Sequence, residues 1–386
     1  MKLKRSFASL VTIALVLVIS PARGEIKPFD TKAKQAYMIE ASTGTILFSK
    51  GEDEPVPPAS LAKLMTAEVV FHEIAEKRLT LDTEFPVSEY AWRTGGALSR
   101  TSTMFAALNS RIKVSDLLQG MIIQSANDGA IILAEGISGS EDAFAEKMTR
   151  RARELGLTKS VFGNSNGLPD GKSRVTMREL VLLSRHIQTS YPEYFKYYSQ
   201  PAFEWNKIFQ RNRNPLLALN IGVDGMKTGY TEQSGYAIVA TINRNGTRLF
   251  LAMSGMATPK ERAEESQRVL EWGLSNFERR VIFKKGEVIA EASVFGGNMP
   301  TVPLLADDEV DIFLPVNNTD RIRANVVYDW PLKAPVQPNQ PVGTLNVLLG
   351  ERQLREVKVH AAGTVSTGTL QSRALDGLKE LLFFWL

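Results

Sequence analysis

The chain has 386 residues, no cysteine, and 46 basic side chains against 42 acidic ones. Without cysteine there is no disulfide framework, so the fold must rest on hydrophobic cores, and this length allows two domains. The basic pI of about 9.0 does not indicate nucleic-acid binding, because four basic residues and no acidic ones fall in segment 1–24. The remainder is balanced at 42 against 42 and has no basic stripe, so we expect no nucleic-acid partner.

Residues 1–24 have the pattern of a cleavable secretory signal peptide. A basic start precedes the apolar segment 10–19, and Ala22-Arg23-Gly24 places small residues before a cut at Glu25. A retained membrane anchor is the alternative, but ten apolar residues are about half of what a transmembrane helix needs. We therefore expect an exported protein whose mature chain begins at Glu25.

The mature chain opens with a strand pattern and continues with helices. Two β-branched and aromatic runs, 36–39 and 45–48, flank the turn residues Ser42-Thr43-Gly44 and predict a hairpin. Helical patterns follow at 61–74, 115–124 (with Ser115 as the N-cap), 129–137, 142–155 and 177–187.

Beyond residue 223 the hydrophobic period becomes strand-like. Asn245-Gly246, a hairpin signal, joins the runs 236–241 and 247–253, and a helix is predicted at 260–274. Strands at both ends of a helical middle predict an α+β fold with an antiparallel sheet flanked by helices. We assign residues 25–277 to this first domain.

In residues 278–365 the sequence pattern changes to short strand-like runs that are separated by glycine and proline. The runs are 310–314, 325–328 and 344–348, followed by alternating apolar residues at 357–361. We predict a small all-β domain here, with no cluster of titratable residues of its own.

Residues 366–386 predict an amphipathic helix. Leu378 and Trp385 fall on its apolar face, whereas Arg373 and Lys379 fall on the polar one. Such a helix with a terminal aromatic residue suits the membrane interface. Docking on the protein itself or on a partner is the alternative.

Ser60 and Lys63 form a Ser-x-x-Lys pair at the start of the helix predicted at 61–74. Residues three apart share a helix face, so a neutral lysine amine could take the proton of the serine hydroxyl. The same spacing occurs at Ser110 and Lys113, in a polar stretch that we interpret as a solvated loop. The pair by itself is therefore a weak signal.

Two further motifs, Ser125-Ala126-Asn127 and Lys227-Thr228-Gly229, follow Ser60 in chain order. Acyl transfer needs a nucleophile, a base, an acid for the leaving group and groups that hold developing negative charge. Ser125 could relay a proton to the leaving group, and the Asn127 amide could hold a peptide bond.

Lys63 can act as the base only if its pKa falls from about 10.4 towards about 7–8. Burial would lower it, as would Lys227 as a second nearby cation. On an ideal strand Lys227 and Gly229 face one side and Thr228 the other. Because glycine lets another chain approach closely, a substrate could pair with this edge and place a carboxylate at Lys227 or Thr228.

With these three motifs in order, the sequence resembles the low-molecular-mass penicillin-binding proteins. These are serine-type D-alanyl-D-alanine carboxypeptidases (peptidase S11 type) of the bacterial periplasm. The resemblance covers nearly the whole mature chain and includes segments 58–66, 103–105, 223–226, 335–340 and 342–344. It implies a β-lactamase/transpeptidase-like fold for the catalytic domain 25–277 and a membrane anchor for 366–386.

The resemblance also implies a role for each motif residue. Ser60 would be acylated by the penultimate D-alanine of a peptidoglycan pentapeptide stem, with release of the terminal D-alanine, and β-lactams would inhibit it covalently. Lys63 would be the base, Ser125 and Lys227 would assist proton transfer, and Thr228 would help bind the substrate carboxylate.

The same resemblance implies further substrate-binding groups. The backbone N–H groups of Ser60 and Tyr230 would form the oxyanion hole. Arg262 and Arg213 match family arginines at the site, Arg213 with a less regular spacing. Well-known members carry histidine where this chain has Tyr230, which leaves the pH dependence and the efficiency open.

Localisation and partners follow from the resemblance as well. The protein is expected at the periplasmic face of the inner membrane, held there through residues 366–386. Its partners would be stem peptides that end in D-alanyl-D-alanine and β-lactams, and no metal or cofactor is expected. Carboxypeptidase and endopeptidase share such a site and differ in pocket shape, so both remain open.

Two other functions compete with this interpretation. A β-lactamase uses similar motifs, but class A enzymes need a glutamate on a loop to hydrolyse the acyl-enzyme, and segment 162–177 offers Asp170 and no glutamate. A non-catalytic cell-wall scaffold with a relic site is the second alternative, against which the three intact motifs count.

Histidine chemistry is not supported. The position four residues after His72 is Glu76, where a helical zinc motif needs a second histidine. The remaining histidines, His186 and His360, are far away in sequence, and no Gly-x-Ser-x-Gly motif accompanies them. We interpret all three as ordinary helix or strand residues.

Overall fold

The computed structural model describes residues 29–371 and 373–374. The predicted signal peptide, 1–24, and most of the predicted amphipathic helix, 375–386, lie outside the described residues. The chain divides into two units, one ending at Thr31 and one beginning at Lys32, and the described helices and strands all belong to the second.

The α-helices of the catalytic part of the described chain lie between residues 63 and 276. They are α1 (Lys63–Ala75), α2 (Glu89–Thr94), α3 (Val114–Gln119), α4 (Asn127–Ser138), α5 (Glu141–Glu154), α6 (Met177–Ser190), α7 (Pro192–Phe195) and α8 (Pro259–Asn276).

The strands fall into two groups. The first group is β1 (Gln35–Glu40), β2 (Ile46–Lys50), β3 (Glu84–Pro86), β4 (Arg111–Lys113), β5 (Ala202–Trp205), β6 (Ile208–Arg211), β7 (Val223–Thr231), β8 (Gly235–Arg244) and β9 (Thr247–Met256). The second group is β10 (Phe277–Phe283), β11 (Ala290–Phe295), β12 (Thr301–Leu305), β13 (Val310–Pro315), β14 (Ile322–Tyr328), β15 (Leu332–Lys333), β16 (Pro341–Leu349) and β17 (Arg352–Ala361).

A five-stranded antiparallel sheet with the order β2-β1-β9-β8-β7 forms the centre of the first part. The predicted turn between β8 and β9 is present, with φ of 53° at Asn245 and 80° at Gly246, as a type I′ hairpin requires. Strand β7 lies at the edge of this sheet, so one side of its backbone is available to another chain.

Helices cover both faces of the sheet. Along β1, Tyr37 and Ile39 join the large apolar core that α1, α4 and α6 share, whereas Met38 lies against Gly273 of α8 on the opposite face. Because side chains alternate along a strand, β1 contributes to an apolar layer on each face of the sheet. The predicted α+β fold with an antiparallel sheet flanked by helices is confirmed.

Two local predictions were wrong. Ser115 is inside α3, and Lys113, with ψ of 144°, occupies the N-cap position. The stretch around Ser110 and Lys113 is no solvated loop, because β4 pairs with β3 and Ile112 is buried opposite Phe85. A three-residue strand is too short to show a periodic pattern in the sequence.

The second group of strands forms an all-β region with its own core. A six-stranded sheet has the order β14-β16-β17-β12-β11-β15, and β10 pairs with β13. Buried Val302, Leu304, Ile312, Leu345 and Val347 belong to a cluster separate from the helical core. The C-terminal all-β region is therefore confirmed, while its boundaries at 278 and 365 stay a prediction.

A row of aromatic rings connects the two parts. Phe48 on β2 meets Trp272 on α8 at 6.0 Å, Trp272 meets Phe277 at 5.3 Å, and Phe277 meets Phe313 on β13 at 6.3 Å. Edge-to-face and offset ring pairs stabilise such contacts by about 0.5–1.5 kcal/mol each.

In the part of the chain that the structure describes, no helix is long and apolar enough to cross a membrane.

The close packing of α4 on β3 predicts a steric effect at Gly136. A Cβ at this position would overlap the ring of Phe85. We expect Gly136→Ala to lower the free energy of unfolding by about 1–3 kcal/mol through overpacking, although alanine favours helix by about 1 kcal/mol. Urea unfolding measures the change.

Gly363→Ala is the matched control, because no atom lies within 4 Å of the added Cβ. It should leave the free energy of unfolding within about 0.5 kcal/mol of the wild type. Equal stability of the two variants would contradict the proposed overlap with Phe85.

Candidate active site

Ser60 lies in a short 3₁₀ turn, Ala59–Ala62, that continues directly into α1. The Leu61 amide donates to the Pro58 carbonyl oxygen at 3.1 Å, and Ala59 takes a left-handed φ of 48°. The candidate nucleophile therefore precedes the helix proper, and its half-buried side chain lines a cleft.

Two glycines allow the Ser60 turn to pack between a strand and a loop. A Cβ at Gly229 on β7 would come within 3.1 Å of Ala59 Cβ and 3.3 Å of Leu61 Cγ. At Gly167, where φ is 82°, a Cβ would overlap the Ala59 carbonyl oxygen. Gly229, which was expected to let a substrate approach, thus also allows close packing of the turn that carries Ser60.

Three oxygen atoms surround the Lys63 amine. Nζ lies 3.0 Å from Ser60 Oγ, 2.7 Å from Asn127 Oδ1 and 2.6 Å from the carbonyl oxygen of Asn166. As an ammonium group it donates to all three. As a neutral amine it can donate to the two asparagine oxygens, which leaves its lone pair to accept from the Ser60 hydroxyl.

Burial lowers the pKa of Lys63 from 10.5 to about 7. The residue is 1% exposed, and loss of water disfavours the charged form. The negative charges of Glu141 and then Asp128 act in the opposite direction and raise the pKa. The result falls in the range that a general base needs at neutral pH.

Lys227 on β7 is also buried, and its amine donates to the Thr228 carbonyl oxygen at 3.2 Å. Its pKa is well below the ordinary value, first because of burial and then because of the positive charges of Lys63, Arg213 and Arg262. Four basic side chains thus converge, and their combined field favours an anion.

The predicted site residues surround one cleft of about 430 Å³. Lys63 and Lys227 are buried beside it. The other eight line it: Ser60, Ser125, Asn127, Arg213, Thr228, Gly229, Tyr230 and Arg262.

Both ends of the Asn127 amide are fixed. Oδ1 accepts from Lys63, and Nδ2 donates to Thr101 Oγ1 at 2.9 Å. Ser125, with a left-handed φ of 66°, ends the wide turn Gly120–Gln124 just before α4. This turn brings Ser125 and Asn127 to the same cleft.

Asp128 fixes the segment that follows Thr101. Its carboxylate accepts from Thr103 Oγ1 at 2.6 Å, from the Met104 amide at 3.0 Å and from the Ala106 amide at 3.1 Å. A carboxylate that accepts several backbone and hydroxyl hydrogens holds a loop firmly. Asp128 therefore keeps Thr101 in place beside the Asn127 amide.

One wall of the cleft is aromatic and cationic. The rings of Tyr230 and Tyr236 lie 4.3 Å apart, and the Arg262 guanidinium lies 5.7 Å from the Tyr236 centroid. Within the described residues Arg262 Nε is buried without a hydrogen-bond partner, and burial lowers the pKa of the group. Burial of such an unpaired N–H group costs free energy unless an acceptor binds it. Arg213, in contrast, is exposed at the rim of the cleft.

Sequence reasoning missed Thr101, Glu141 and Asn166. Asn166 contacts Lys63 through its backbone carbonyl, which no side-chain pattern reports. Glu141 begins α5, where an acidic residue is ordinarily explained by the helix dipole. Thr101 lies in a polar stretch without any periodic signal.

Asp170, the acidic residue considered for a β-lactamase, holds its own loop. Oδ1 accepts from the Lys172 and Ser173 amides at 2.8 and 2.7 Å. Oδ2 accepts from Ser173 Oγ at 2.6 Å and Asn164 Nδ2 at 3.0 Å. With both oxygens occupied, the Asp170 carboxylate is poorly placed to activate a water molecule.

Two of the histidines have ordinary partners. His186 lies 3.2 Å from Glu68, and His360 lies 3.2 Å from Asp307. Among the residues that the structure describes, no group of histidines and carboxylates could hold a metal ion.

Comparison with known families covers both parts of the chain. Residues 22–258 match the D-alanyl-D-alanine carboxypeptidase family, and residues 277–367 match the C-terminal domain of penicillin-binding protein 5. The order of these matches agrees with the order of the helical and all-β parts.

Individual relatives extend over nearly the whole chain. D-alanyl-D-alanine carboxypeptidase DacA of Haemophilus influenzae is 32% identical over 92% of this chain and 90% of its own length. The crystal structure of penicillin-binding protein 5 from Haemophilus influenzae covers 88% of this chain and 99% of its own, with a TM-score of 0.79 and 32% identity.

A second similar structure contains a bound drug. Penicillin-binding protein D2 from Listeria monocytogenes in its ampicillin-bound form covers 64% of this chain and 99% of its own, with a TM-score of 0.56 and 29% identity. Because both family matches and these identities agree, the chain belongs to the D-alanyl-D-alanine carboxypeptidase family and is a serine hydrolase of the penicillin-binding protein 5 type.

Proposed function

We propose that this carboxypeptidase removes the terminal D-alanine from peptidoglycan pentapeptide stems through an acyl-enzyme on Ser60. The observation that carries the proposal is the buried Lys63 amine, 3.0 Å from Ser60 Oγ, with a pKa lowered to about 7 by burial. At neutral pH a large fraction of this amine is neutral and can act as a base.

In the first step neutral Lys63 takes the Ser60 hydroxyl proton as Oγ attacks the carbonyl carbon of the penultimate D-alanine. The C–N bond to the terminal D-alanine then breaks, and the leaving amine receives the proton that Lys63 took from Ser60. Ser125 and Lys227 relay this proton, since both lie at the cleft beside Ser60 and Lys63. Water completes the cycle by hydrolysing the Ser60 ester.

The developing oxyanion is held by the backbone N–H groups of Ser60 and Tyr230. Two observations support this assignment: both residues line the cleft, and β7, which carries Tyr230, is the edge strand of its sheet. A substrate that pairs antiparallel to β7 presents its carbonyl between these two segments. Removal of one such donor typically costs about 10²–10³ in rate.

The C-terminal carboxylate of the substrate binds at the cationic wall. Thr228 offers a hydroxyl, Lys227 and Arg213 add positive charge, and the buried Nε of Arg262 lacks a partner within the described residues. An arginine without an acceptor gains a charge-assisted hydrogen bond when a carboxylate arrives. Asn127 orients the peptide bond from the opposite side.

The rest of the stem peptide follows a second groove of about 630 Å³. The two cavities share Gly167, Leu168, Pro169, Tyr230 and Thr231. The N-terminal part of a substrate antiparallel to β7 runs towards Thr231, so this groove can accept residues that precede the D-alanyl-D-alanine end. A peptide longer than two residues therefore suits the site.

β-Lactams acylate Ser60 in the same way and form a longer-lived ester. The ampicillin-bound form of the similar Listeria monocytogenes protein supports this proposal. Tyr230 keeps the backbone donor and replaces an imidazole with a ring that packs against Tyr236 at an interplanar angle of 32°.

The protein works at the periplasmic face of the inner membrane. The basic and apolar pattern of residues 1–24 supports export, and the amphipathic pattern of residues 366–386 supports peripheral anchoring. This location places the enzyme beside newly made stem peptides.

Incubation with a β-lactam tests the acyl-enzyme on Ser60. Wild-type protein incubated with benzylpenicillin should show, by intact mass, one covalent adduct that lasts many minutes, and Ser60→Ala should show none. Lys63→Met should form the adduct about 10²–10⁴-fold more slowly, because general-base catalysis typically contributes that much.

Other outcomes would reject the proposal. A rapidly lost adduct with destruction of the drug would indicate a β-lactamase, and no adduct on wild type would indicate a scaffold. Normal acylation of Lys63→Met would remove Lys63 from the mechanism.

The packing of Gly167 against the Ser60 turn predicts an effect on the rate of acylation. Gly167→Ala should slow acylation by about 10²-fold or more, because the added Cβ overlaps Ala59 and displaces the nucleophile. Gly171→Ala is the matched control: its φ of 71° gives similar backbone strain in the same loop, with no atom within 4 Å. Equal acylation rates in the two variants would contradict this packing role.

The proposed anchor predicts where the protein is found after removal of its C-terminal segment. Deletion of residues 366–386 should move the exported protein from the membrane fraction to the soluble fraction, with an unchanged rate of acylation. Substitution of the C-terminal apolar residues Phe383 and Trp385 by serine should weaken membrane binding in the same direction. If the protein that lacks residues 366–386 remained in the membrane fraction, the proposed role of this segment as an anchor would be contradicted.

A further inference from the structure

A buried carboxylate, that of Glu141, is separated from the Lys63 amine by Asn166, which contacts both. It takes no direct part in the proposed reaction. Glu141, the first residue of α5, is 7% exposed. Its Oε1 accepts from the Ser165 amide at 3.0 Å, from Ser165 Oγ at 2.5 Å and from Asn166 Nδ2 at 2.8 Å. Four hydrogen bonds in all end on it, since its Oε2 accepts from Tyr90 at 2.9 Å.

The segment that Glu141 holds is the one that meets the base. The Asn166 carbonyl oxygen lies 2.6 Å from Lys63 Nζ, and the Ser165 carbonyl oxygen accepts from Thr66 Oγ1 at 2.6 Å. Both carbonyl groups therefore point at α1 while the side chains of the same two residues are tied to Glu141.

We propose that Glu141 is a positioning residue for this reaction. It holds Ser165 and Asn166 in place, so that the Asn166 carbonyl accepts one N–H of Lys63. This hydrogen bond directs the lone pair of the neutral Lys63 amine towards Ser60. The inference rests on the proposed role of Lys63 as the base. A misplacement of about 1 Å in such an arrangement can cost about 10²-fold in rate.

The charge of Glu141 gives it a second, separable effect. The charged groups that face Lys63 are Glu141 from α5, Asp128 from α4 and Lys227 from β7. Of the two carboxylates, Glu141 raises the pKa of Lys63 more strongly and thereby opposes the effect of burial. Glu141 thus keeps the amine basic enough to remove the Ser60 proton.

Tyr90 closes the carboxylate from the other side. Burial first, and then its hydrogen bond to Glu141, raises the pKa of Tyr90 to about 12, so the phenol remains a donor at neutral pH. Asp142 is the next residue on α5 and is exposed. Position 142 therefore offers the same charge change without the buried contacts.

The test compares Glu141→Gln with Asp142→Asn in the full-length protein. Glutamine keeps the acceptor for Ser165 and Asn166 and turns its amide towards the Tyr90 oxygen, so the shape is preserved and the charge is lost. The measurement is the second-order rate of acylation by benzylpenicillin from about pH 5 to about pH 9, with melting temperatures as a check on folding.

We expect the acidic limb of the Glu141→Gln profile to move to lower pH by about one unit, because the ammonium form loses a stabilising charge. The plateau rate should fall as well, since a weaker base removes the proton more slowly. Asp142→Asn should keep the limb and the plateau of the wild type. A purely structural defect would lower the rate at all pH values and leave the limb in place.

Tyr90→Phe gives a second measurement should Glu141→Gln fail to fold. Without the phenol hydrogen bond, the full negative charge of Glu141 acts on Lys63 and raises the pKa of Lys63. The acidic limb should therefore move to higher pH, by a smaller amount than in Glu141→Gln. An adduct on wild type with an unmoved limb in the folded variants would overturn this inference alone. No adduct on wild type would overturn the proposed function as well.

Discussion

The site depends on one buried amine. Lys63 is removed from water, which lowers its pKa to about 7, and three oxygen acceptors replace the lost hydration. Burial of an amine without such acceptors would cost several kcal/mol. The acceptors come from the Ser60 turn, from α4 and from the loop at Asn166, so the fold must bring three separate segments to within hydrogen-bond distance of one nitrogen.

Close backbone packing makes this convergence possible. Gly229 on the edge strand and Gly167 on the loop both touch the turn that carries Ser60, and a Cβ at either position would crowd that turn. Interiors packed this tightly transmit small shifts. The same contacts that stabilise the fold therefore set the distance between Ser60 Oγ and Lys63 Nζ.

Charges are arranged in layers around the cleft. Arg213, Arg262 and Lys227 give its substrate side a positive field, and the carboxylates Asp128 and Glu141 lie on the protein side of Lys63. The first layer favours an anion, and the second limits how far burial lowers the pKa of Lys63. Glu141 also holds the loop that contacts the amine, and Asp128 holds the segment that follows Thr101, the partner of the Asn127 amide, so their electrostatic and structural effects come from the same atoms.

The sequence by itself determined the α+β architecture, the all-β region that follows it and the motif residues, because hydrophobic period, turn residues and motif order are local properties of the chain. It missed strand β4, which is too short for a period, and the contacts of Thr101, Glu141 and Asn166. Tertiary structure alone decided these contacts and the pKa of Lys63. Burial and the position of a backbone carbonyl depend on segments distant in sequence, and no local pattern encodes them.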